Sequence, residues 1–214
     1  MKVLCISASN IIHKKKGTSF KICKIALNEL RKKYDIIEET IIELKKYNFE
    51  PCTGCGKCFF SNRCIIEDDY NLIYGKIIEN ELIIIVSPHY APIPAKLVAL
   101  LEKMEQITFL KWGKDNTYKS EVYGKCALII SHGGGELWAL DSYKKMVNDT
   151  IANALDTIQI KVIPLNEEWK TGISIPIKKA VFCEESIFPN QEYDWDYIIQ
   201  KITEYIEQIG TITL

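Results

Sequence analysis

Long apolar runs are absent from this sequence. Among its 214 residues, no uninterrupted stretch of apolar side chains exceeds the five of Leu82–Val86, whereas a helix that spans a membrane needs roughly 18 or more. The opening residues Met1–Ser7 hold too short an apolar stretch for a secretory signal peptide. We therefore expect a cytoplasmic protein without a membrane partner.

An excess of charge of either sign is also absent. Lys and Arg number 27, Asp and Glu number 28, and the formal net charge is −1. The lysine pairs, such as Lys32–Lys33 and Lys144–Lys145, are scattered along the chain, which is typical of solvated faces. The sequence therefore offers no electrostatic basis for binding nucleic acid.

Several catalytic and nucleotide-binding motifs are missing. The sequence contains neither the G-x4-G-K-[ST] loop of nucleoside triphosphatases nor the G-x-G-x-x-G fingerprint of dinucleotide-binding folds. It contains no H-E-x-x-H motif and no Ser/His/Asp arrangement that would favour a hydrolase.

Short apolar runs alternate with segments of helical periodicity. Three of the runs are apolar throughout, as expected for central parallel strands covered on both faces. The pattern predicts one open α/β sheet with helices on both faces. It also predicts a single domain of residues 1–214, with a compact cysteine loop at 51–65 and a C-terminal extension at 167–214. The predicted strands are Lys2–Ser7, Ile36–Leu44, Leu82–Ser87, Cys126–Ser131 and Ile158–Leu165. The predicted helices cover Ser19–Lys33, Asp68–Asn80 with Asp68 as N-cap, a segment that starts near Pro94, a segment over Leu140–Leu155, and a last one from Trp195 to Ile209.

Two stretches exceed this minimal pattern. Glu105–Lys125 is too long for a simple connection, so we expect a lid or an interface segment there. Ile173–Ile177 and Ala180–Cys183 predict an extra hairpin or a split fifth strand, to which the sequence assigns no function.

Four of the eight cysteines lie within thirteen residues, as C-x2-C-x2-C-x5-C. Four thiolates on one short loop can surround a single metal centre, and Gly54 and Gly56 allow the backbone to fold tightly around it. The interpretations are a 4Fe–4S cluster, a structural zinc ion, or a metal-free loop. The motif consists of Cys52, Cys55, Cys58 and Cys64. The remaining cysteines, Cys5, Cys23, Cys126 and Cys183, fall on predicted strands or helix faces and are expected to pack in the core.

Three loops are expected at the carboxyl ends of the central strands, where open α/β sheets bind ligands. The first runs from Ser7-Ala8-Ser9-Asn10 to Gly17-Thr18-Ser19, which opens a helix. Its hydroxyl and N–H groups predict a cradle for a phosphate monoester, and the alternative is ordinary helix capping by Thr18 or Ser19.

The other two loops carry an aromatic ring and glycines. Ser87-Pro88-His89-Tyr90-Ala91-Pro92 presents the face of Tyr90, and Ser131-His132-Gly133-Gly134-Gly135 lets backbone amides approach a flat ring. His89 and His132 are either catalytic groups or loop histidines with local hydrogen bonds.

Taken in order, these motifs resemble the iron–sulfur flavoprotein family within the NADPH-dependent FMN reductase superfamily. The resemblance covers about residues 1–165, and the cysteine motif is its most specific part. It implies a flavodoxin-like sheet of order 2-1-3-4-5 that binds FMN, and a 4Fe–4S cluster on Cys52, Cys55, Cys58 and Cys64. The implied phosphate ligands are Ser7, Ser9, Gly17, Thr18 and Ser19. The implied ring contacts are Pro88, His89, Tyr90 and Ala91 on one side and Ser131, Gly133 and Gly134 on the other.

The resemblance also implies a function. We expect an electron-transfer oxidoreductase that links FMN to the cluster, takes electrons from NAD(P)H or a reduced ferredoxin, and forms a homo-oligomer, either a dimer or a tetramer. The alternative is an NAD(P)H-dependent FMN, quinone or azo-type reductase with a structural or metal-free cysteine loop. A third interpretation is a flavin-binding sensor or carrier without turnover.

Overall fold

The structure is a computed structural model that describes residues 1–11, 17–90, 92–184 and 186–211. Its main sheet is parallel, with the order β2-β1-β3-β4-β5, and β6 also pairs with β4. This confirms the predicted strand order. The strands are β1 (Lys2–Ser7), β2 (Glu38–Glu43), β3 (Leu82–Pro88), β4 (Cys126–His132), β5 (Lys161–Val162) and β6 (Ile173–Ile175).

The fifth position of the sheet is split between two short strands. Only Lys161–Val162 of the predicted strand Ile158–Leu165 is a strand, and β6 takes the place beside the carboxyl half of β4, where Ile173 pairs with Ile130. Just before β6, Gly172 has a φ of +117° and lies against the backbone of Ile129, so a side chain there would collide with β4. The chain therefore re-enters the sheet through a conformation that favours glycine.

An antiparallel hairpin follows β6. It pairs β7 (Lys179–Cys183) with β8 (Ser186–Glu192). The two alternatives predicted here, a split fifth strand and an extra hairpin, are both present, but the hairpin pairs β7 with β8, and the predicted segment Ile173–Ile177 is not one of its strands.

The helices cover both faces of the sheet. The helix α1 packs with α7 on one face, while α3, α4 and α6 pack on the other. Side chains of β3 alternate between the two cores, since Ile83 and Ile85 face one and Ile84 and Val86 face the other. Burial on both faces explains the continuously apolar strands. The helices are α1 (Thr18–Lys33), α2 (Cys58–Ser61), α3 (Tyr70–Glu79), α4 (Ala95–Lys114), α5 (Leu140–Tyr143), α6 (Asp149–Thr157) and α7 (Trp195–Glu207), with a π-helical turn at Lys144–Asn148 and 3-10 turns at Leu44–Lys46, Leu137–Ala139 and Gln208–Thr211.

Two expectations about the helices need correction. Glu105–Lys125 is not a separate lid, because α4 continues to Lys114 and buries Ile107 and Thr108 against the sheet. The helix α3 begins at Tyr70, so Asp68 precedes the N-cap residue, although its carboxylate still accepts a hydrogen bond from the Tyr70 N–H at 2.9 Å.

The C-terminal helix is held to the sheet by a buried tyrosine. The Tyr205 hydroxyl donates to the carbonyl of Ile163 at 2.7 Å and accepts from the N–H of Ile129 at 3.3 Å. At the other end, the carboxylate of Asp194 caps α7 by accepting from the N–H of Tyr197. Within the part of the chain that the structure describes, no helix is both long and apolar enough to cross a membrane.

Candidate functional site

The first loop of the site joins the end of β1 to the start of α1. Ser7 and Ser9 are buried, and the N–H of Ala8 donates to the carbonyl of Val86, which fixes the end of β1 beside β3. Gly17 is the N-cap of α1, and Thr18 is its first residue. The unpaired N–H groups of this first turn favour an anion. Residues 12–16 of this loop lie outside the described residues.

A buried hydrogen bond joins this loop to the end of β4. Ser19 Oγ lies 2.7 Å from His132 Nε2, and the two residues are 1% and 6% exposed. Burial lowers the pKa of His132 to about 4, because the charged imidazolium loses its hydration. The His132 ring is therefore neutral at physiological pH.

The loop after β3 carries an orphaned polar atom. The N–H of His89 donates to the carbonyl of His132 at 2.8 Å, but its ring atom Nε2 is buried without a hydrogen-bond partner among the described residues. Such an atom normally has a partner, so its position fits a polar ligand. Pro88 ends β3, and the neighbouring Tyr90 is exposed, with a pKa that partial burial raises. The predicted contact Ala91 lies outside the described residues.

The glycine run after β4 packs against the ring of Tyr143. A methyl group on Gly133 would overlap the Tyr143 hydroxyl, and the N–H of Gly135 donates to that hydroxyl at 2.6 Å. The Tyr143 ring lies 5.4 Å from the ring of His89, measured between centroids. The glycines thus let this loop fold closely beside the loop after β3.

Ser131 differs in its position from the other predicted ring contacts. Its hydroxyl lies 2.8 Å from the Ser174 hydroxyl on β6, and both residues are buried. Ser131 therefore uses its side chain to join β4 to β6.

The C-terminal hairpin contributes residues that the sequence did not identify. Tyr193, just after β8, lies beside the Thr18 side chain at the start of α1, and burial raises its pKa to about 12. Its hydroxyl also donates to Gln191 Oε1 at 2.9 Å, and the Gln191 amide lies close to Gly134. No sequence signal pointed to these contacts, because the predicted hairpin segments end at Cys183, before Gln191 and Tyr193.

The cysteine loop is shaped by three residues in the left-handed region. Gly54, Gly56 and Asn62 have φ values of +66°, +68° and +57°. Two backbone groups anchor the loop, since the N–H of Cys52 donates to Glu102 Oε2 at 3.1 Å and the N–H of Cys64 donates to Asn71 Oδ1 at 3.1 Å. The loop is thus held between α4 and α3.

All four cysteines of the motif line one small cavity, with Lys103, Gln106 and Ile107 of α4 on its wall. All four are free thiols. Burial raises the pKa of Cys58, with a further contribution from the nearby Cys52, Cys55 and Cys64, whereas the N–H of Lys57 lowers the pKa of Cys55. Within the described ranges, however, no three metal-binding side chains form a coordinating group. The donor set fits a thiolate-bound metal, but the sulfur atoms would have to converge.

A buried ion pair lies beneath this cavity. Lys103 Nζ is 2.5 Å from Asp68 Oδ2, and the two side chains are only 1% and 7% exposed. The carboxylate also accepts from the N–H groups of Tyr70 and Glu50. One cation is thereby fixed on the wall of the cysteine cavity.

The other cysteines have a structural position. Cys5, Cys23 and Cys126 are buried in the core that lies beneath α1 and α7, as predicted. The side chain of Cys183 lies outside the described part of the structure.

The parallel sheet and the three loops at its carboxyl edge define a flavodoxin-like protein. In agreement, the structure superimposes on oxidised flavodoxin 1 from Bacillus cereus with a TM-score of 0.52 and 13% identity, over 97% of this chain and 98% of that one. The sequence profile of the NADPH-dependent FMN reductase family matches residues 1–161. The chain belongs to this family of flavin-dependent oxidoreductases.

Two curated relatives resemble the chain over about two thirds of its length. Iron–sulfur flavoproteins from Methanocaldococcus jannaschii and Methanosarcina thermophila are each 28% identical over 137 residues, or 64% of this chain. The match spans 66% of the first relative, just under two thirds of its length, and 67% of the second. Together with the family profile, these relatives confirm the resemblance found in the sequence.

Proposed function

We propose that the protein binds FMN at the carboxyl edge of the sheet and transfers electrons between FMN and a 4Fe–4S cluster on the cysteine loop. The observation that carries the proposal is that all four cysteines of the motif line one cavity in a chain of this family. Bound FMN exchanges one or two electrons and the cluster exchanges one, so together they can divide an electron pair between carriers. The names of the two relatives support the same combination.

The phosphate of FMN is assigned to the loop between β1 and α1. Its ligands are Ser7, Ser9, Gly17, Thr18 and Ser19. The serines Ser7 and Ser9 are buried at the end of β1, and the first N–H groups of α1 provide a positive partial charge. The backbone dipoles and hydroxyl groups of this loop therefore stabilise the negative charge of the phosphate.

The flavin ring is assigned to the other two loops. Pro88, His89 and Tyr90 are assigned to one side of the ring, and Gly133, Gly134 and the backbone of Ser131 are assigned to the other. The predicted contact Ala91 is outside the described residues. The orphaned Nε2 of His89 supplies a buried polar contact, and the face of the exposed Tyr90 supplies stacking area. To this set we add Tyr193, because it lies beside Thr18 and bonds Gln191, whose amide lies close to Gly134.

The cluster is assigned to Cys52, Cys55, Cys58 and Cys64. The left-handed positions Gly54 and Gly56 leave the loop open space, since an added methyl group would meet nothing within 4 Å at either. Glycine at these two positions also adopts the left-handed turns of the loop without strain. Lys103 places a positive charge beside the thiolates.

Anaerobic purification tests this assignment. We expect a brown protein with about four iron atoms and four acid-labile sulfides per chain. Cys58→Ser should lose the iron and sulfide, whereas the matched control Cys126→Ser, on a buried strand, should keep both. Stoichiometric zinc without sulfide, or equal iron in both variants, would refute the cluster.

A second function is favoured by one observation, the absence of a coordinating group among the described cysteines. In this alternative the protein is an NAD(P)H-dependent FMN or quinone-type reductase with a structural or metal-free cysteine loop. Steady-state turnover with NADH, NADPH and reduced ferredoxin discriminates between the two functions. Turnover of NADPH that is fast and unchanged in Cys58→Ser supports the reductase, and turnover that depends on Cys58 supports electron transfer through a cluster.

We further propose that the protein is a homo-oligomer, either a dimer or a tetramer. The exposed side chains of Trp112, at 49%, and Trp138, at 79%, are candidates for its interface. Light scattering of the purified protein gives the mass, and a monomer at micromolar concentration would contradict the proposal.

A further inference from the structure

We propose that His132 is a positioning residue that makes the Ser19 hydroxyl a hydrogen-bond donor to the phosphate of FMN. The inference rests on the proposed FMN site and assigns a role to a residue outside the set of expected FMN contacts. It concerns the discrimination between FMN and flavins that lack the phosphate.

The geometry places these two side chains in direct contact. Ser19 Oγ and His132 Nε2 are 2.7 Å apart, and both residues are almost entirely buried. Ser19 is the second residue of α1, next to the N–H groups that favour an anion. The orientation of its hydroxyl hydrogen is therefore determined by His132 on one side and by the phosphate on the other.

The protonation state of the histidine limits the possible arrangements. Because burial lowers its pKa to about 4, the ring carries a single N–H at physiological pH. If Nε2 lacked the hydrogen, Ser19 would have to donate to His132, and only oxygen lone pairs would face the phosphate. If Nε2 carries the hydrogen, it donates to Ser19 Oγ and leaves the serine hydrogen free.

A phosphate favours the second arrangement. Phosphate oxygens near neutral pH are predominantly acceptors, so a serine hydroxyl can stabilise them only by donating. We therefore assign the chain of hydrogen bonds from His132 Nε2–H to Ser19 Oγ–H and on to the phosphate.

The same residue connects the phosphate loop with the ring loops. The carbonyl of His132 accepts from the N–H of His89 at 2.8 Å, while its ring contacts Ser19. This main-chain bond does not depend on the side chain, so substitutions of the imidazole affect the contact with Ser19 and preserve the bond to His89.

The test compares the dissociation constants of FMN and riboflavin, measured by quenching of flavin fluorescence on protein freed of flavin. His132→Leu leaves the Ser19 hydroxyl in place without its donor partner, and an ordinary hydrogen bond contributes about 0.5–1.5 kcal/mol, so the variant should weaken FMN binding about 3- to 10-fold. Riboflavin binding should change less than about twofold, because riboflavin has no phosphate. His132→Gln places an amide donor near the position of Nε2 and should recover most of the FMN affinity.

A double-variant cycle completes the test. Ser19→Ala should weaken FMN binding at least as much as His132→Leu does, because it removes the donor to the phosphate itself, and adding His132→Leu to it should cause no further loss. Far-UV circular dichroism tests whether each variant is folded. If His132→Leu does not fold, the comparison of FMN and riboflavin binding is made with His132→Gln.

Three results would overturn the inference. These are equal loss of FMN and riboflavin binding in His132→Leu, additive effects of the two substitutions, and failure of His132→Gln to bind FMN better than His132→Leu. If the wild-type protein binds neither flavin, the proposed function itself is refuted. The same titrations show this before any variant is compared.

Discussion

Lys103 and Asp68 form an ion pair beneath the cysteine cavity, and we predict that Lys103→Met strongly destabilises the protein. Methionine preserves most of the length and packing of the lysine side chain. The substitution therefore removes the charge and leaves the carboxylate of Asp68 buried without its cation.

The structure gives the magnitude of this effect. The two side chains are 1% and 7% exposed, and their charged atoms are 2.5 Å apart. Breaking a buried pair by removing one partner costs about 3–5 kcal/mol. Asp68 retains hydrogen bonds from the N–H groups of Tyr70 and Glu50, so we expect about 3 kcal/mol, at the lower end of this range.

The effect should depend on pH in a defined direction. In the wild-type protein the ammonium of Lys103 and the N–H groups of Tyr70 and Glu50 outweigh burial and lower the pKa of Asp68. This stabilisation is present above the pKa of the unfolded carboxyl and is lost as the pH falls through the lower folded value. Without Lys103, burial raises the pKa of the orphaned carboxyl. The difference between wild type and variant should therefore shrink as the pH falls from about 7 to about 4, because protonation removes the unpaired charge.

Denaturant unfolding, monitored by circular dichroism on samples of equal iron content, measures this difference. The matched control is Lys111→Met on the same helix, because Lys111 bonds the neutral side chain of Asn62 and is less buried. The control should cost about 1 kcal/mol or less. Equal losses in the two variants, or a loss in Lys103→Met that grows with acidity, would refute the reasoning.

Three further predictions concern single positions. Gly172→Ala should lower the free energy of unfolding by about 3 kcal/mol in a denaturant titration, because φ is +117° and the methyl group meets the Ile129 carbonyl. Gly133→Ala should weaken FMN binding about tenfold in a fluorescence titration, because its methyl group displaces Tyr143. In the protein without FMN, the free energy of unfolding should be highest above pH 6.5, where His132 is neutral in both the folded and the unfolded state. Unfolding titrations should show that it decreases by about 3 kcal/mol as the pH falls to about 4, because the unfolded state takes up the proton first.

The sheet was predictable because its strands carry their own signal. Val3–Ile6, Leu82–Val86 and Cys126–Ile130 are apolar throughout, since each strand is buried on both faces. The fifth position was less predictable. Residues 158–165 are rich in apolar side chains, but the pairing of β4 with β6 depends on the approach of Gly172 to Ile129, a contact between distant parts of the chain.

The candidate site, like the sheet, has a part that the sequence predicts and a part that it does not. The cysteine motif and the three loops are contiguous in sequence, so their residue types and spacing identify them. Tyr143, Gln191 and Tyr193 enter the site only because a helix and a hairpin fold back over the loops. Nothing in their local sequence marks them as parts of a site.

The sequence by itself determined the class of fold, the edge of the sheet that holds the site, and the group of cysteines, since each follows from periodicity or spacing along a few residues. Only the tertiary structure decided which polar groups meet across that edge. The contacts of His132 with Ser19 and of Lys103 with Asp68 join residues 113 and 35 positions apart. Such contacts depend on how the packed helices align, which no local pattern of side chains specifies.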